Sequence, residues 1–414
     1  MARPLAIQNG VPAAKSRAGR ILPGPDWWLC VLALTGLEFL QYSQTPAAYT
    51  FTAASALCAL REPGRALQGA LHGGLIWLFI ALWLVSMLWS PVPDLSFRSG
   101  LQVLLTVGGA LIMVRALPAT YFISALMFAL LVATVASLAD PRQQLNYGGL
   151  AMVGIFGSKN QFGLSQALLL MVSSWVLIDV RRTWMVRVVA LVGIVLGVAL
   201  MAAARSLDST AVAIGALACS YCAFRLNRFA PRWRPLILIG LISVIMIVSI
   251  FLLIFGEELD LIRHGLEYFG KDTTLTGRTV LWDRAAKIME ESPFLGTGAQ
   301  GFWVEGNPYA EELWARFQPG RSGYNFHNLW YETGVQFGYV GLILVFWIIA
   351  RTSLSTLRWA MRTLSVESCF FLAFVIFVDV RTFVESELLS QFSMLTVLLV
   401  AAWFYARGPH QRHA

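Results

Sequence analysis

The chain has 414 residues, 57% of them hydrophobic and only 13% charged. With a mean hydropathy of +0.65 it lacks the polar side chains to cover two or three soluble domains, which excludes that reading of its length. A net charge of +8 would raise nucleic acid as a partner, but the arginines sit mainly in short loops between apolar runs, and nucleic-acid binding is set aside.

Residues 1–26 are polar and Arg-rich, and no small-residue cleavage site follows the first apolar run, so no cleavable leader is expected. From Trp27 onward, apolar runs long enough for a bilayer, roughly 17–25 residues each, recur to Tyr405. Backbone polar groups in lipid must be satisfied within the segment, so these runs are expected to be helices. Twelve spans are read, at 27–42, 46–60, 74–90, 100–115, 120–138, 161–180, 188–203, 209–224, 235–256, 328–350, 366–384 and 389–406. With the N-terminus in the cytoplasm, the inner loops collect Arg61, Arg65, Arg115, Arg181, Arg182, Arg187, Arg225, Arg228, Arg232, Arg234, Arg351, Arg358, Arg362 and Arg407. The short outer loops hold little beyond Arg98, Arg142, Lys159 and Arg205, so the positive-inside bias places both termini inside.

The expected organisation is a cytoplasmic tail (1–26), nine spans (27–256), a large extracytoplasmic loop (257–326), three spans (327–406) and a second cytoplasmic tail (407–414). Within the loop a helix is expected over Gly277–Glu291. Thr276 caps it, Val280, Leu281, Ala285 and Ile288 form its apolar stripe, and Ser292-Pro293 ends it. All five cysteines fall within apolar runs; Cys219 and Cys222 have redox-like spacing but no second ligand pair, and no metal site is expected.

Several polar residues stand out in chain order. Glu38 lies inside the first span, where an unpaired acid costs about 2.5–3.5 kcal/mol unless a wet cavity receives it. Arg142 is an outer cation. Gly154–Gly163 (GIFGSKNQFG) is a glycine-rich turn in which Lys159 and Asn160 offer donors to anionic or hydroxylated ligands; its spacing is not that of a nucleotide-binding loop. Arg205, at the outer end of the seventh span, and Arg278, opening the loop helix, carry guanidinium forks suited to phosphate oxygens. Their competing uses are pairing with Asp208 or snorkelling for Arg205, and a salt bridge to Asp272 or Asp283 for Arg278. Trp282, Trp303, Trp314, Tyr324, Trp330 and Tyr331 offer faces for sugar rings or belong to an interfacial belt, and Arg321 is a further outer cation. His327, where the loop enters the tenth span, has the side chain best suited to take a proton from a hydroxyl near neutral pH, or else to bond a helix end. Gly334, Gly338 and Gly341 after it permit close helix packing.

Taken together, these features resemble the O-antigen ligase and polysaccharide polymerase family, which includes Wzy-type polymerases and ExoQ-like exopolysaccharide polymerases. The match lies in about twelve helices, one large outer loop between late spans, and a His-Asn, nine residues, Gly-x-x-G motif met by His327, Asn328, Gly338 and Gly341. The run GRTVLWDRAAKIMEESPFLGTGAQGFW and the segment GIFGSKNQFG are similar to the exopolysaccharide branch. The resemblance implies an all-α, polytopic, GT-C-like glycosyltransferase of the bacterial inner membrane. It further implies an undecaprenyl-diphosphate-linked oligosaccharide donor, a glycan acceptor, surrounding membrane lipid and no metal or other cofactor. By the same resemblance His327 is the catalytic base, Arg278 and Arg205 bind the donor diphosphate with help from Lys159, and the attack inverts the anomeric carbon. Asn160, Arg142, Arg321, Trp282, Trp303, Tyr324 and Trp330 are then glycan contacts. A chain-length regulator and a Wzx-like flippase are the expected protein partners. The motifs do not separate a polymerase from a ligase acting on lipid A core, because only the acceptor differs. A transporter is disfavoured because the polar residues gather at one face and in one loop.

Overall fold

Proline at a first helical turn, small-residue stripes and apolar runs without charge give the chain a succession of helices. The structure, a computed structural model, describes residues 24–71, 73–146, 149–225, 276–317 and 324–407, with short pieces at 232–233, 236–237 and 239–240. Helix α1 (Pro25–Glu38) leads into α2 (Leu40–Arg61), which is interrupted at Ser43 and Gln44, just ahead of Pro46. Proline lacks the N–H and disfavours helical backbone before it, so the break falls between the first two expected spans. There follow α3 (Pro63–Ala70), α4 (Leu75–Val85) with a 3-10 turn at Ser86–Leu88, α5 (Pro93–Ala116) and α6 (Ala119–Ala139). Next come α7 (Lys159–Ile178), α8 (Trp184–Ala204), α9 (Leu207–Arg225), α10 (Thr276–Glu291) and α11 (Pro308–Phe317). The chain closes with α12 (Leu329–Thr363), α13 (Val366–Arg381) and α14 (Met394–Tyr405).

Three expectations are corrected. The fold is not purely helical, since β1 (Gln143–Asn146) and β2 (Gly149–Met152) pair antiparallel between α6 and α7, with Gln143 opposite Met152 and Leu145 opposite Leu150. The helix that carries the tenth expected span does not stop at 350 but runs on to Thr363, with Arg351, Arg358 and Arg362 as helical residues. The helices over the last two expected spans are shorter than those ranges: α13 ends at Arg381 and α14 starts at Met394, leaving an irregular segment of 382–393 between them. Hydroxyls hold that segment. Ser390 and Ser393 donate to the Glu387 carbonyl at 2.7 and 2.8 Å, and the Phe392 N–H donates to Thr106 Oγ1 at 2.8 Å. Most of the expected span at 235–256, and the loop residues 257–275 and 318–323, including Asp272 and Arg321, lie outside the described residues.

Among the described residues, five helices are long and apolar enough to cross a membrane: α5, α6, α7, α8 and α12. Shorter apolar helices lie at Leu75–Leu88, Ser209–Arg225 and Met394–Tyr405, and the chain is a polytopic membrane protein. Helix α7 is enclosed by α6, α8, α9 and α13, whereas α8 turns Val188, Leu191 and Val195 outward as a lipid-facing helix would. The start of α7, the end of α8, the start of α9, the start of α12 and the end of α13 meet at one end of the bundle, joined by Lys159 to Arg205, Arg381 to Ser209 and Leu329 to Thr382. At the other end Arg181 Nη2 bonds Glu367 Oε1 at 2.6 Å, tying the turn after α7 to the start of α13.

The expected loop helix is present as α10, with Leu281, Ala285 and Ile288 buried against Phe302, Leu313, Trp314 and Phe326 in a small core of its own. The loop is fastened to α12 by a broken helix. Gly338 has φ +59°, so the helical ladder stops there, and the four backbone groups it would pair find partners in the segment 293–298. Thr297 and Gly298 N–H donate to the Val335 and Gln336 carbonyls at 2.8 and 2.9 Å; Tyr339 and Val340 N–H donate to the Pro293 and Phe294 carbonyls at 2.7 and 3.2 Å. A Cβ at Gly338 would stand 2.4 Å from the Phe294 carbonyl carbon, so glycine is required by both conformation and space. Gly338 therefore acts as a splice and not as a packing surface.

Candidate functional site at the mouth of the helix bundle

His327 is held by the two asparagines on either side of it. Its N–H donates to Asn325 Oδ1 at 2.7 Å, which turns the backbone to φ +48°, and Asn328 then caps α12 by accepting from the Trp330 and Tyr331 N–H groups at 2.9 and 3.3 Å. A left-handed conformation is uncommon for a residue with a Cβ and is maintained only where its surroundings enforce it. The same entry is pinned to the end of α13: Leu329 N–H donates to the Thr382 carbonyl at 2.8 Å, and Asn328 Nδ2 to that of Phe383 at 3.0 Å.

The imidazole faces a carboxylate that sequence reasoning did not single out. His327 Nδ1 lies 3.1 Å from Glu385 Oε2, while Arg278 Nη2 and Asn160 Nδ2 reach Glu385 Oε1 at 3.3 and 3.0 Å. Glu385 is only 6% exposed. Burial by itself would raise its pKa; the hydrogen bond and charge of His327, with the charges of Arg381 and Arg278, outweigh that and hold it well below the usual carboxylate range. An ionised carboxylate can only accept, so the bonded Nδ1 carries the proton, and in the neutral ring Nε2 keeps its lone pair. The signal for Glu385 was present in the sequence: Asp379, Arg381, Glu385 and Glu387 interrupt an otherwise apolar stretch, where charge is expensive unless it is used.

Of the remaining cations, Arg205 directs its guanidinium toward the hairpin, where Nη1 would stand 3.2 Å from a Cβ at Gly149. Lys159 Nζ lies 3.5 Å from the carbonyl of Arg205, which ends α8 with φ +49°, so the first turn of α7 and the last residue of α8 adjoin. Arg381, 2% exposed, bonds Ser209 Oγ at 3.0 Å and Glu387 Oε2 at 3.2 Å. Arg278 reaches from the loop helix across to Glu385. Arg142 does not join the group. Its Nε donates to the Gly154 carbonyl at 2.7 Å, Asp140 lies 3.5 Å away, and the guanidinium sits over the Tyr42 ring, so it braces the hairpin.

The aromatics divide in the same way. Tyr324 meets the His327 ring edge-on at 5.7 Å and packs on Trp303 at 5.3 Å. Trp282 stacks on Tyr331 and donates to the Phe326 carbonyl at 2.9 Å, while Trp330 donates to Thr382 Oγ1 at 3.2 Å. Trp282 and Trp330 thus anchor backbone on either side of His327. Gly341 faces its own helix, where an added Cβ would stand 2.3 Å from the Phe337 Cβ.

Beside this centre lies a cavity of about 370 Å³, bounded by Tyr324 and Asn325 on one side and by Ser386 and Glu387 on the other. Those four residues flank His327 and Glu385 in the chain, so the cavity and the imidazole share walls. The arrangement combines an imidazole oriented by a buried carboxylate, the Arg278 guanidinium on the same carboxylate, the Lys159 ammonium at the adjoining end of α8, and a polar recess. It can move a proton next to a bound anion.

Two comparisons bear on this geometry. A family model described as O-Antigen ligase matches residues 207–346, which include α10 and the first half of α12. The chain is 31% identical over 357 residues to the "Exopolysaccharide production protein ExoQ" of Rhizobium meliloti (strain 1021), an alignment covering 82% of this chain and 78% of that protein.

Proposed function

Since the chain belongs to the O-antigen ligase/ExoQ-like family, we propose that it polymerises undecaprenyl-diphosphate-linked oligosaccharide units into exopolysaccharide at the outer face of the bacterial inner membrane. The observation that carries the reading is the convergence of His327, Arg278 and Asn160 on Glu385. That convergence sets an imidazole and one guanidinium on the same buried carboxylate, which supports a role for His327 and Arg278.

In this mechanism the donor diphosphate lies among Arg278, Arg205 and Lys159, at the start of α7, where the helix dipole also favours an anion. Tyr324 and Trp303 border the glycan. An acceptor hydroxyl approaches His327 Nε2 and gives it the proton as its oxygen attacks the anomeric carbon from the face opposite the leaving group. The bond from that carbon to the diphosphate oxygen breaks with inversion, and undecaprenyl diphosphate departs with its negative charge facing fixed cations. Glu385 stabilises the imidazolium that results, while Asn160 and Arg278 keep Glu385 in place. Twelve spans with both termini in the cytoplasm, and a chain-length regulator and Wzx-like flippase as partners, complete the reading.

A ligase that moves a finished glycan onto lipid A core shares this donor chemistry, and the description of the matching family model favours it as the second reading. Product analysis in a deletion strain separates the two. Loss of a polymerase leaves single lipid-linked units, and loss of a ligase leaves long lipid-linked chains. For either reading, His327→Ala reconstituted in vesicles with lipid-linked units should lose transfer by about 10²–10⁴-fold at normal protein level. Undiminished transfer by that variant would rule out His327 as the base.

A further inference from the structure

The cavity beside His327 differs in charge from the group of cations next to it. Among the described residues lining it there is no Lys, Arg or His. Three carboxyls face it instead, from Glu38, Glu332 and Glu387, with five glutamines and the aromatic rings of Trp83, Trp303 and Tyr324. Glu38 comes from the middle of an apolar run and is bonded by Ser165 Oγ at 2.5 Å. Glu332 accepts from Gln336 Nε2 at 2.7 Å and from the Phe326 N–H at 3.0 Å. Gln391 presents a buried Oε1 that receives no hydrogen bond among the described residues, a deficit that a ligand hydroxyl would satisfy.

An anion entering this space would lose its water with no cation to replace it, whether the carboxyls hold protons or not. Hydroxyl groups, by contrast, donate to carboxyl and amide oxygens and accept from amide N–H groups, and aromatic faces cover the apolar side of a sugar ring. At about 370 Å³ the cavity falls at the lower end of the size range for small-ligand pockets, roughly 300–1,000 Å³. We infer that it is the acceptor subsite, which receives an uncharged sugar at the end of the glycan remote from any diphosphate, with Gln391 and Glu38 accepting from its hydroxyls. This inference rests on the proposed transfer at His327, and it adds that the protein discriminates against uronate and phosphate at the acceptor end.

Saturation-transfer NMR on the full chain in detergent tests it, with neutral β-linked glucose and galactose tetrasaccharides, a tetragalacturonate and inorganic pyrophosphate as probes. A neutral tetrasaccharide should receive saturation and keep it in excess pyrophosphate, and tetragalacturonate should receive none. Gln391→Leu and Glu38→Leu, checked for unaltered thermal midpoint, should each weaken the neutral sugar about fivefold, the loss of one hydrogen bond of about 1 kcal/mol. Should either fail to fold, Leu164→Trp at the cavity wall serves instead and should abolish the signal. Transfer by His327→Ala is read in the vesicle assay and sugar binding by the NMR measurement on the cavity variants, so failure of the catalytic reading and failure of this one appear in different assays. Equal saturation of tetragalacturonate, competition by pyrophosphate, or undiminished binding in the cavity variants overturns the inference.

Discussion

At the scale of single residues, the account turns on a carboxylate whose value depends on its neighbours. Glu385 is buried, ionised and bonded by three groups, so each bond offsets part of a desolvation cost that a lone carboxylate could not sustain. Its pKa is depressed in the folded protein, so its contribution to stability is complete above the ordinary carboxylate range and is lost as pH falls through the depressed value. Glu385→Gln should therefore lower the thermal midpoint in detergent at pH 7, and the gap to the unaltered chain should narrow on acidification below about pH 4.3. A gap that widens with acid contradicts the assignment of charge. Glu387, two residues on, experiences the opposite balance: burial raises its pKa, and the neighbouring charge of Arg381 only partly counters this. His327, Arg278 and Asn160 were legible from their chemistry and position. Their common partner was not, because 366–384 and 389–406 read as two spans with only a short gap, which hid an irregular segment folded back on the bundle.

Among the elements, the informative one is α12. Its sequence announced a helix start and a glycine pattern, and both are present, but the glycine pattern means something other than helix packing. Period alone does not distinguish a glycine that lets two helices approach from one that interrupts a ladder; the left-handed backbone at Gly338 and the repair by 293–298 decide it. The loop segment and the helix motif, separate in sequence, are two halves of one joint. Gly338→Ala should detach this joint, costing more than about 1 kcal/mol and abolishing transfer, as measured by thermal unfolding and a vesicle assay. Gly108→Ala is the control: a Cβ there meets nothing within 4 Å, and it should be neutral or slightly stabilising. Asn328→Ala removes a cap and should cost about 0.5–2 kcal/mol, with added loss from its bond to the Phe383 carbonyl.

On the scale of the whole molecule, hydropathy made the polytopic helical character readable without any structural knowledge, since the bilayer permits few alternatives. It could not locate the hairpin at 143–152, where four-residue strands carry too little period to register. Contacts among helix ends from distant parts of the sequence gather residues from 159 to 385 at one face. The account requires that face to lie outside the cytoplasm, where lipid-linked glycans are joined. The direct measurement places one cysteine at Glu305, in the loop next to this site, in a chain whose five native cysteines are replaced, and treats intact cells with a membrane-impermeant maleimide. The account predicts labelling before lysis, at the rate of an exposed outer thiol. Labelling only after the inner membrane is opened would contradict it.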